Sequence, residues 1–344
     1  ISSKLNILNN KSYLKNYKNL KILITGSTGF KGSWLSQILL TLGANVIGVG
    51  LKPEKGSEIF SQLNLNRKIK QYYLDIRKFS KVNEIIKKEK PDIIFHLAAQ
   101  SIVSYSYEYP LETFETNIIG SANILESVKK NKIPNLVYIT SDKCYLNLER
   151  NKSYNENDIL GGKDNYSSSK ACAELIFKSY INSYFSKSAK HSIVSARAGN
   201  VIGGGDFKNN RIIPDVVKSI SKNRNIVLRS PNSTRPWQHV LEPLSGYLLL
   251  GKKILNGEIK KNINPSWNFG PYEKNCKTVK ELANLSVKRW NNNKIRIVIK
   301  NDKNFHESKL LSLNIDKAKK ELNWKPTLTL SDTINLTIDW YKNY

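Results

Sequence analysis

At 344 residues with 40% hydrophobic side chains, the chain is long enough to bury a large core and carry a second, smaller lobe. Its net charge of +27 is spread among Asn and Ile along the whole length, with no dense basic block, so a solvated lysine-rich surface that attracts an anionic substrate is expected, and no nucleic-acid partner. The apolar runs 46–51 and 247–250 fall far short of the ~20 residues a spanning helix needs, and residues 1–21 lack an apolar signal core, so the expectation is a cytoplasmic protein with no membrane partner.

Cys144, Cys172 and Cys276 are too scattered for a disulfide framework or a Cys-x-x-Cys metal site. They fit a reducing compartment, and no metal is expected.

Residues 21–25 form a short apolar run ending in a glycine loop, which predicts a buried first strand. Trp34, Leu35, Ile38, Leu39 and Leu42 then recur at helical spacing, with Gly43 at the place of a helix-terminating glycine. The alternation continues with strands over 44–50, 71–74, 92–97, 136–140 and 192–196. Between them helices are predicted over 82–88, 111–129 and 166 to about 185. Strand-helix repetition of this kind predicts an α/β fold, a Rossmann-type doubly wound parallel sheet covered on both faces.

Beyond Asn200 the rhythm fails. The stretches 203–206, 230–236 and 264–265 read as loops, and 212–221, 241–255 and 279–290 as helices. The expected division is a dinucleotide-binding domain over 1–200, with a return segment near 235–255, and a smaller substrate domain drawn mainly from 201–344.

Gly26-x-x-Gly29-x-x-Gly32 follows a strand and opens a helix, where a dinucleotide fold places its phosphate loop. The acid that usually binds the ribose 2′-hydroxyl of NAD is missing from Gly50-Leu51-Lys52, so this fingerprint alone leaves NAD and NADP open. Asp75, just after the third strand, is placed either to meet the adenine end or to cap a surface helix. His96 falls inside the fourth strand and is read as core or as a support behind the site.

Tyr166 and Lys170, four apart on a helix, share one face. The bare pattern is common, and Tyr17 with Lys21 matches it too, but only Tyr166 follows the fifth strand. A phenol with an ordinary pKa near ~10 must be stabilised as phenolate to take a hydroxyl proton at neutral pH, and Lys170 with a positive nicotinamide can do that. Ser141, at the carboxyl end of strand five, is placed to hold the same hydroxyl. Asp142 and Lys143 beside it supply a second acid-base set, which a plain dehydrogenase or epimerase does not need and an elimination of water does.

These residues resemble the extended short-chain dehydrogenase/reductase superfamily, and within it the CDP-glucose branch of the sugar-nucleotide 4,6-dehydratases. The segments that carry the resemblance begin at Gly29-Phe-Lys-Gly-Ser-Trp-Leu35, Phe95-His-Leu-Ala-Ala-Gln100 and Thr140-Ser-Asp-Lys-Cys-Tyr145. They continue through 195–206 and 234–243, and the likeness runs from about 13 to 341.

The resemblance implies CDP-glucose as substrate and NAD as a cofactor that is regenerated within each cycle. It implies that Tyr166 takes the 4-hydroxyl proton, that Asp142 protonates the departing C6 oxygen, and that the product is a 4-keto-6-deoxy sugar for deoxysugar biosynthesis such as that of lipopolysaccharide O-antigen. It assigns NAD binding to Gly26, Thr28, Gly29, Phe30, Gly32, Asp75, Ile76, Ala98, Gln100 and Asn117, with Tyr166 and Lys170. It assigns substrate binding to Asn200, Arg211, Arg235, Asn268 and His306. Related dehydratases carry Glu where this chain has Lys143, and Lys143, acting with Asp142, is the expected base at C5. Pairing into a homodimer or dimer of dimers is expected through the helices over 111–129 and around Tyr166.

Overall fold

The structure is a computed structural model that describes residues 16–53, 59–150, 152–186, 191–259, 264–292, 294–300 and 310–344. Six strands appear where the sequence alternation places them: β1 (Lys21–Thr25), β2 (Asn45–Gly50), β3 (Lys70–Tyr73), β4 (Ile93–His96), β5 (Asn135–Thr140) and β6 (Ser192–Arg197). A seventh strand of the same sheet, β11 (Ser266–Asn268), comes from a stretch where no strand was expected; it pairs parallel with β6, Trp267 opposite Ala196. The sheet is parallel throughout, in the order β11-β6-β5-β4-β1-β2-β3.

Side chains alternate across this sheet as the strand period of two requires. Ile22, Ile24, Ile93, Phe95, Val137, Ile139, Val194 and Ala196 face one cluster. It is closed by helix α1 (Phe30–Thr41), through Leu35, Ile38 and Leu39, and by Leu244, Leu248 and Ile254 of a helix over Leu241–Leu255. The alternate residues Leu23, Ile47, Val49, Ile94, Leu136, Tyr138 and Ile193 face the opposite cluster, covered by α2 (Phe79–Glu89), α3 (Gly120–Lys130) and α4 (Asn165–Tyr180). Continuous apolar strands are the expected consequence of burial on both faces.

Two of these helices carry a π turn. Pro110–Phe114 passes through Glu115–Ile119 into α3, and α4 continues through Ile181–Phe185, so the predicted helices extend over the expected lengths with one widened turn each.

Past residue 200 the elements form small pairs. β7 (Val201–Ile202) lies parallel to β10 (Gln238–His239), β8 (Ile226–Leu228) parallel to β13 (Ile297–Ile299), and β9 (Thr234–Pro236) antiparallel to β12 (Cys276–Thr278). Helices α5 (Ile212–Ser221), α6 (Leu241–Leu255) and α7 (Val279–Trp290) match their predicted bounds. Two further helices, α8 (Asp316–Leu322) and α9 (Leu330–Lys342), were not expected. Ile334, Ile338 and Tyr341 of α9 close a separate apolar cluster with Ile202, Ile213, Trp237 and Leu282. Among the described residues, no helix is long and apolar enough to cross a membrane.

Candidate active site

The carboxyl ends of β1, β3, β4, β5 and β6 open into one cleft of about 850 Å³, lined by Gly26, Asp75, Ala98, Ser141 and Asn200 from those ends. Its outer wall comes from the later elements, including Ile212, Leu228, Arg235 and Trp237. Strand order reverses between β1 and β4, the place where an open α/β sheet leaves a crevice for ligands.

The glycine loop is built for close approach. Gly26 has φ +74°, and a Cβ there would meet the Ala98 amide nitrogen at 2.7 Å; a Cβ on Gly32 would lie 2.0 Å from the Gly26 carbonyl oxygen. The amino end of α1 begins at Gly29, with no side-chain cap and no acid in its first turn. Its amides and the positive end of the helix dipole therefore face the cleft, which suits a pyrophosphate. Thr28, Phe30 and Ile76 line the same space. The residues fit a dinucleotide.

Asp75 lines the cleft but is held by its own turn: the Arg77 backbone amide donates to Oδ1 at 2.9 Å and the guanidinium Nε to Oδ2 at 2.8 Å. Burial raises this carboxyl, but the Arg77 hydrogen bonds outweigh it and leave its pKa below the ordinary value. Asp75 thus lines the cleft and closes its own turn, while the helix that follows starts at Lys78 without a side-chain cap, so the capping role is not what the structure gives it.

Gln100 and Asn117 are not placed in the cleft. The Asn117 carboxamide donates to the Gln100 carbonyl at 3.0 Å and to Ser169 Oγ at 2.9 Å, and the Gln100 amide donates back to Asn117 Oδ1 at 2.9 Å. Ser169 lies between Tyr166 and Lys170 on α4, so this pair braces the helix that carries them; the π turn over 115–119 is what presents Asn117 to it. The expected direct contact with cofactor is corrected to this supporting role, because both side chains spend their polar groups on protein.

Tyr166 and Lys170 are 7% and 6% exposed. The helix starts at Asp164, whose carboxylate accepts from the Ser167 amide at 2.9 Å. The Lys170 ammonium stands 5.7 Å from the centre of the Tyr166 ring. Burial pushes the Tyr166 phenol up to about 12 against the opposing hydrogen bond from Ser141. Burial, then the charge of Lys31, pulls Lys170 down to about 7.

Ser141 Oγ donates to Asp142 Oδ1 at 2.9 Å and accepts the Lys143 amide at 3.3 Å. Asp142 is 1% exposed, and its Oδ2 accepts from the Asn200 carboxamide at 3.0 Å. Asn200 takes φ 52°, a left-handed conformation that Asn tolerates better than most residues. Lys143 lines the cleft beside them. The structure thus gathers Ser141, Asp142, Lys143, Tyr166, Lys170 and Asn200 into one site.

Arg211 reaches the cleft while donating to Asp206 Oδ2 at 2.9 Å and to Ser101 Oγ at 2.5 Å, and buried Arg235 lines it while donating to the Thr234 carbonyl at 3.0 Å. Asn268 is not brought to the cleft. Its Oδ1 accepts from the Tyr145 hydroxyl at 2.7 Å, and its Nδ2 donates to the carbonyls of Tyr154 and Asn314 at 2.9 and 3.1 Å. Both carboxamide hydrogens and one lone pair of its oxygen are used in the core, and the residue does not line the cleft, so the expected substrate contact is corrected to a structural one. His306 lies outside the described residues. His96 bridges Thr25 Oγ1 at 2.7 Å and Ser121 Oγ at 3.1 Å, and burial pulls its pKa down to about 3, as a support behind the site requires.

Sequence reasoning passed over Lys31, the second residue of α1, whose side chain lines the cleft. Burial, then Arg211, lower its pKa to about 8, with Asp142 opposing them. The signal was present: a cation in the first turn of a helix sits at the unfavourable end of the dipole, where a structural helix prefers an acid.

Solved structures share the fold. A UDP-glucose 4-epimerase from Thermotoga maritima, with UDP-glucose, superposes at TM-score 0.81 and 23% identity, covering 94% of this chain and 99% of that one. A dTDP-glucose 4,6-dehydratase from Bacillus anthracis, in complex with NAD, gives TM-score 0.78 and 23% identity over 94% and 97%. In sequence, the CDP-glucose 4,6-dehydratase of Salmonella typhimurium is 41% identical over 331 residues, 95% of this chain and 91% of that protein. Residues 23–337 match the family described as GDP-mannose 4,6 dehydratase, and with that relative and this site the chain belongs to that family, within the extended short-chain dehydrogenase/reductases.

Proposed function

We propose that the chain converts CDP-glucose to CDP-4-keto-6-deoxyglucose and water. The observation that carries this reading is Asp142, a buried carboxyl set beside Ser141 and Tyr166, in a chain 41% identical to a CDP-glucose 4,6-dehydratase. A dehydrogenase or 4-epimerase has no step for that acid.

The glycine loop, Asp75, Ile76 and Ala98 would hold NAD, which would supply reversible hydride chemistry at the sugar, with C4 as the donor carbon and C6 as the final acceptor. Ser141 holds the 4-hydroxyl and Tyr166 takes its proton. Because the buried Tyr166 phenol is pushed up to about 12, the phenolate depends on positive charge beside it, from Lys170 while it holds its proton and from the nicotinamide. Asp142 then protonates the departing C6 oxygen, positioned by Asn200, while Lys143 removes the C5 proton. Arg235 and Arg211 face the diphosphate, where a guanidinium can pair two oxygens at once.

In this reading residues up to about 200 hold the cofactor, and those beyond, apart from α6 and β11, hold the substrate. We infer a cytoplasmic enzyme feeding deoxysugars to a lipopolysaccharide O-antigen. A homodimer is supported by apolar side chains left exposed on two helices, Leu111 and Ile119 on one, Leu175 and Tyr184 on the other.

Purified protein incubated with CDP-glucose and no reductant is expected to give a CDP-sugar lighter by one water in mass spectrometry. An unchanged mass with folded, cofactor-loaded protein, and water loss from dTDP-glucose or GDP-mannose instead, would move the substrate. No loss from any of them would remove the dehydratase reading.

A further inference from the structure

The cleft extends past the groups that serve the sugar, and its outer wall carries an acid that the proposed reaction does not use. Arg211 is the cap residue of α5, and the Asp215 amide donates to the Arg211 carbonyl at 3.0 Å, which closes the first helical turn. Residues so spaced share a helix face, one turn or about 5 Å apart along the axis. Both line the cleft.

The wall around Asp215 suits a flat ring. Helix α5 packs on β8 through Val216, Ile220, Ile226 and Leu228, and beside that contact Pro214 of the helix and Val227 of the strand line the cleft. Val227 is 54% exposed, an apolar surface turned outward from its strand. Among the described residues, no ion pair holds the Asp215 carboxylate. Burial raises its pKa, and the charge of Arg229, the Asn210 amide and the charge of Lys218 oppose that rise and favour the ionised form. It is a half-buried acceptor on the wall of an open cleft.

We propose that Asp215 selects cytosine as the base of the substrate, by accepting a hydrogen from its exocyclic amino group. The inference rests on the CDP-glucose reading. In that reading the sugar lies at Tyr166 and the diphosphate at Arg211, so the nucleoside takes the next stretch of the same wall, one turn further along α5. An ionised carboxylate accepts hydrogen bonds and donates none. Cytosine presents an amino donor where uracil and thymine present a carbonyl oxygen. Acceptor set against acceptor repels and leaves both groups without a partner, so the acid that holds CDP also rejects UDP and dTDP. An acid in the first turn of a helix also complements the helix dipole, but that role is blind to the base.

The test measures, by titration calorimetry, the binding of CDP, UDP and the 5′-diphosphate of pyrimidin-2-one riboside, which is cytidine without its amino group. The proteins are NAD-loaded wild type, D215A and D215N, each shown folded by circular dichroism. Wild type is expected to bind CDP at least about tenfold more tightly than either analogue, the size of a good contact to a base edge. D215A is expected to weaken CDP by about that factor and to bind the amino-free analogue as wild type does. D215N, whose amide can donate to a carbonyl, is expected to bind UDP more tightly than wild type does. A D215A protein that weakens all three nucleotides equally, or that keeps the full preference for CDP, would overturn the selection and leave Asp215 as a partner of the helix dipole. Equal binding of CDP and the amino-free analogue by wild type would overturn it without any variant. Wild type that binds UDP more tightly than CDP would instead strike the CDP-glucose reading.

Discussion

Asp142 occupies the space that any side chain at position 199 would need. A Cβ on Gly199 would lie 2.0 Å from the Asp142 carboxyl carbon and 2.0 and 2.1 Å from its oxygens, which no real packing allows. The Gly199→Ala variant must push the carboxylate away from both Ser141 and Asn200. A fall in kcat of about a hundredfold or more is expected, with cofactor binding preserved, since general acid catalysis contributes about that much. Steady-state kinetics with an NAD titration read both quantities. A normal kcat in this variant would show that Asp142 is not the acid.

Burying Lys170 makes stability depend on pH. Its pKa falls from 10.5 to about 7 on folding. Below pH 7 both states hold the proton and the cost of burying the charge is fully present. Between there and 10.5 the unfolded chain binds a proton that the folded protein has released, so stability rises with pH by about 1.4 kcal/mol per unit. Lys31, lowered to about 8, adds a slope of the same sign. Lys170→Met is expected to lose Lys170's share and keep that of Lys31, as read from urea unfolding of cofactor-stripped protein at pH 7 and 9. Identical slopes in variant and wild type would contradict the buried, proton-shedding state of Lys170.

The strands and first helices were legible because burial on both sheet faces writes continuous apolar runs, and because glycine loops and helix periods are local. Tyr166, Lys170, Ser141 and Asp142 were legible for the same reason: each lies at a fixed place relative to a strand end. The seventh strand was not, since three residues, Ser266-Trp-Asn268, carry no period and join the sheet only through β6. Asn268, Gln100 and Asn117 were misplaced because whether an amide faces a ligand or the core depends on partners distant in sequence, such as Tyr145 for Asn268. Lys31 left a local sign, a cation at the wrong end of a helix, that the motif around it concealed.

Behind the site, Glu174 and Arg197 form an ion pair at 2.7 Å with both side chains fully buried. Glu174 lies one turn past Lys170 on α4 and also accepts from Thr140 Oγ1 at 2.5 Å, the residue just before Ser141, so the pair ties the catalytic helix to β5 and β6. Glu174→Gln removes the charge and strands the guanidinium. A loss of about 3–5 kcal/mol is expected, since breaking a buried pair from one side leaves an uncompensated ion. A chemical denaturation midpoint unchanged by this substitution would rule the pair out as an anchor.

Arg235 and Asn268 were assigned the same role from sequence, and the structure separates them. Arg235 lines the cleft and Asn268 is spent in the core. Arg235→Ala is expected to raise KM for CDP-glucose at least about tenfold, the loss of roughly one charge-assisted hydrogen bond, with a smaller change in kcat. Asn268→Ala is expected to leave KM near its wild-type value and lower the melting temperature, because the Tyr145 hydroxyl and two carbonyls lose partners. The reverse pattern, a KM effect at 268 and a stability effect at 235, would exchange the two assignments.

Leu111 and Leu175 are 76% and 53% exposed, on the two helical segments expected to pair. Large apolar side chains exposed on two neighbouring helical segments are the kind of surface that a partner would cover. If the cover is a second copy, the contact is self-complementary, and one substitution acts on both sides of it. Sedimentation is expected to give a dimer for wild type and a monomer of unchanged circular dichroism for the variant carrying Leu111→Lys and Leu175→Lys. A wild-type monomer, or a double variant that sediments as wild type does, would exclude this face as the interface.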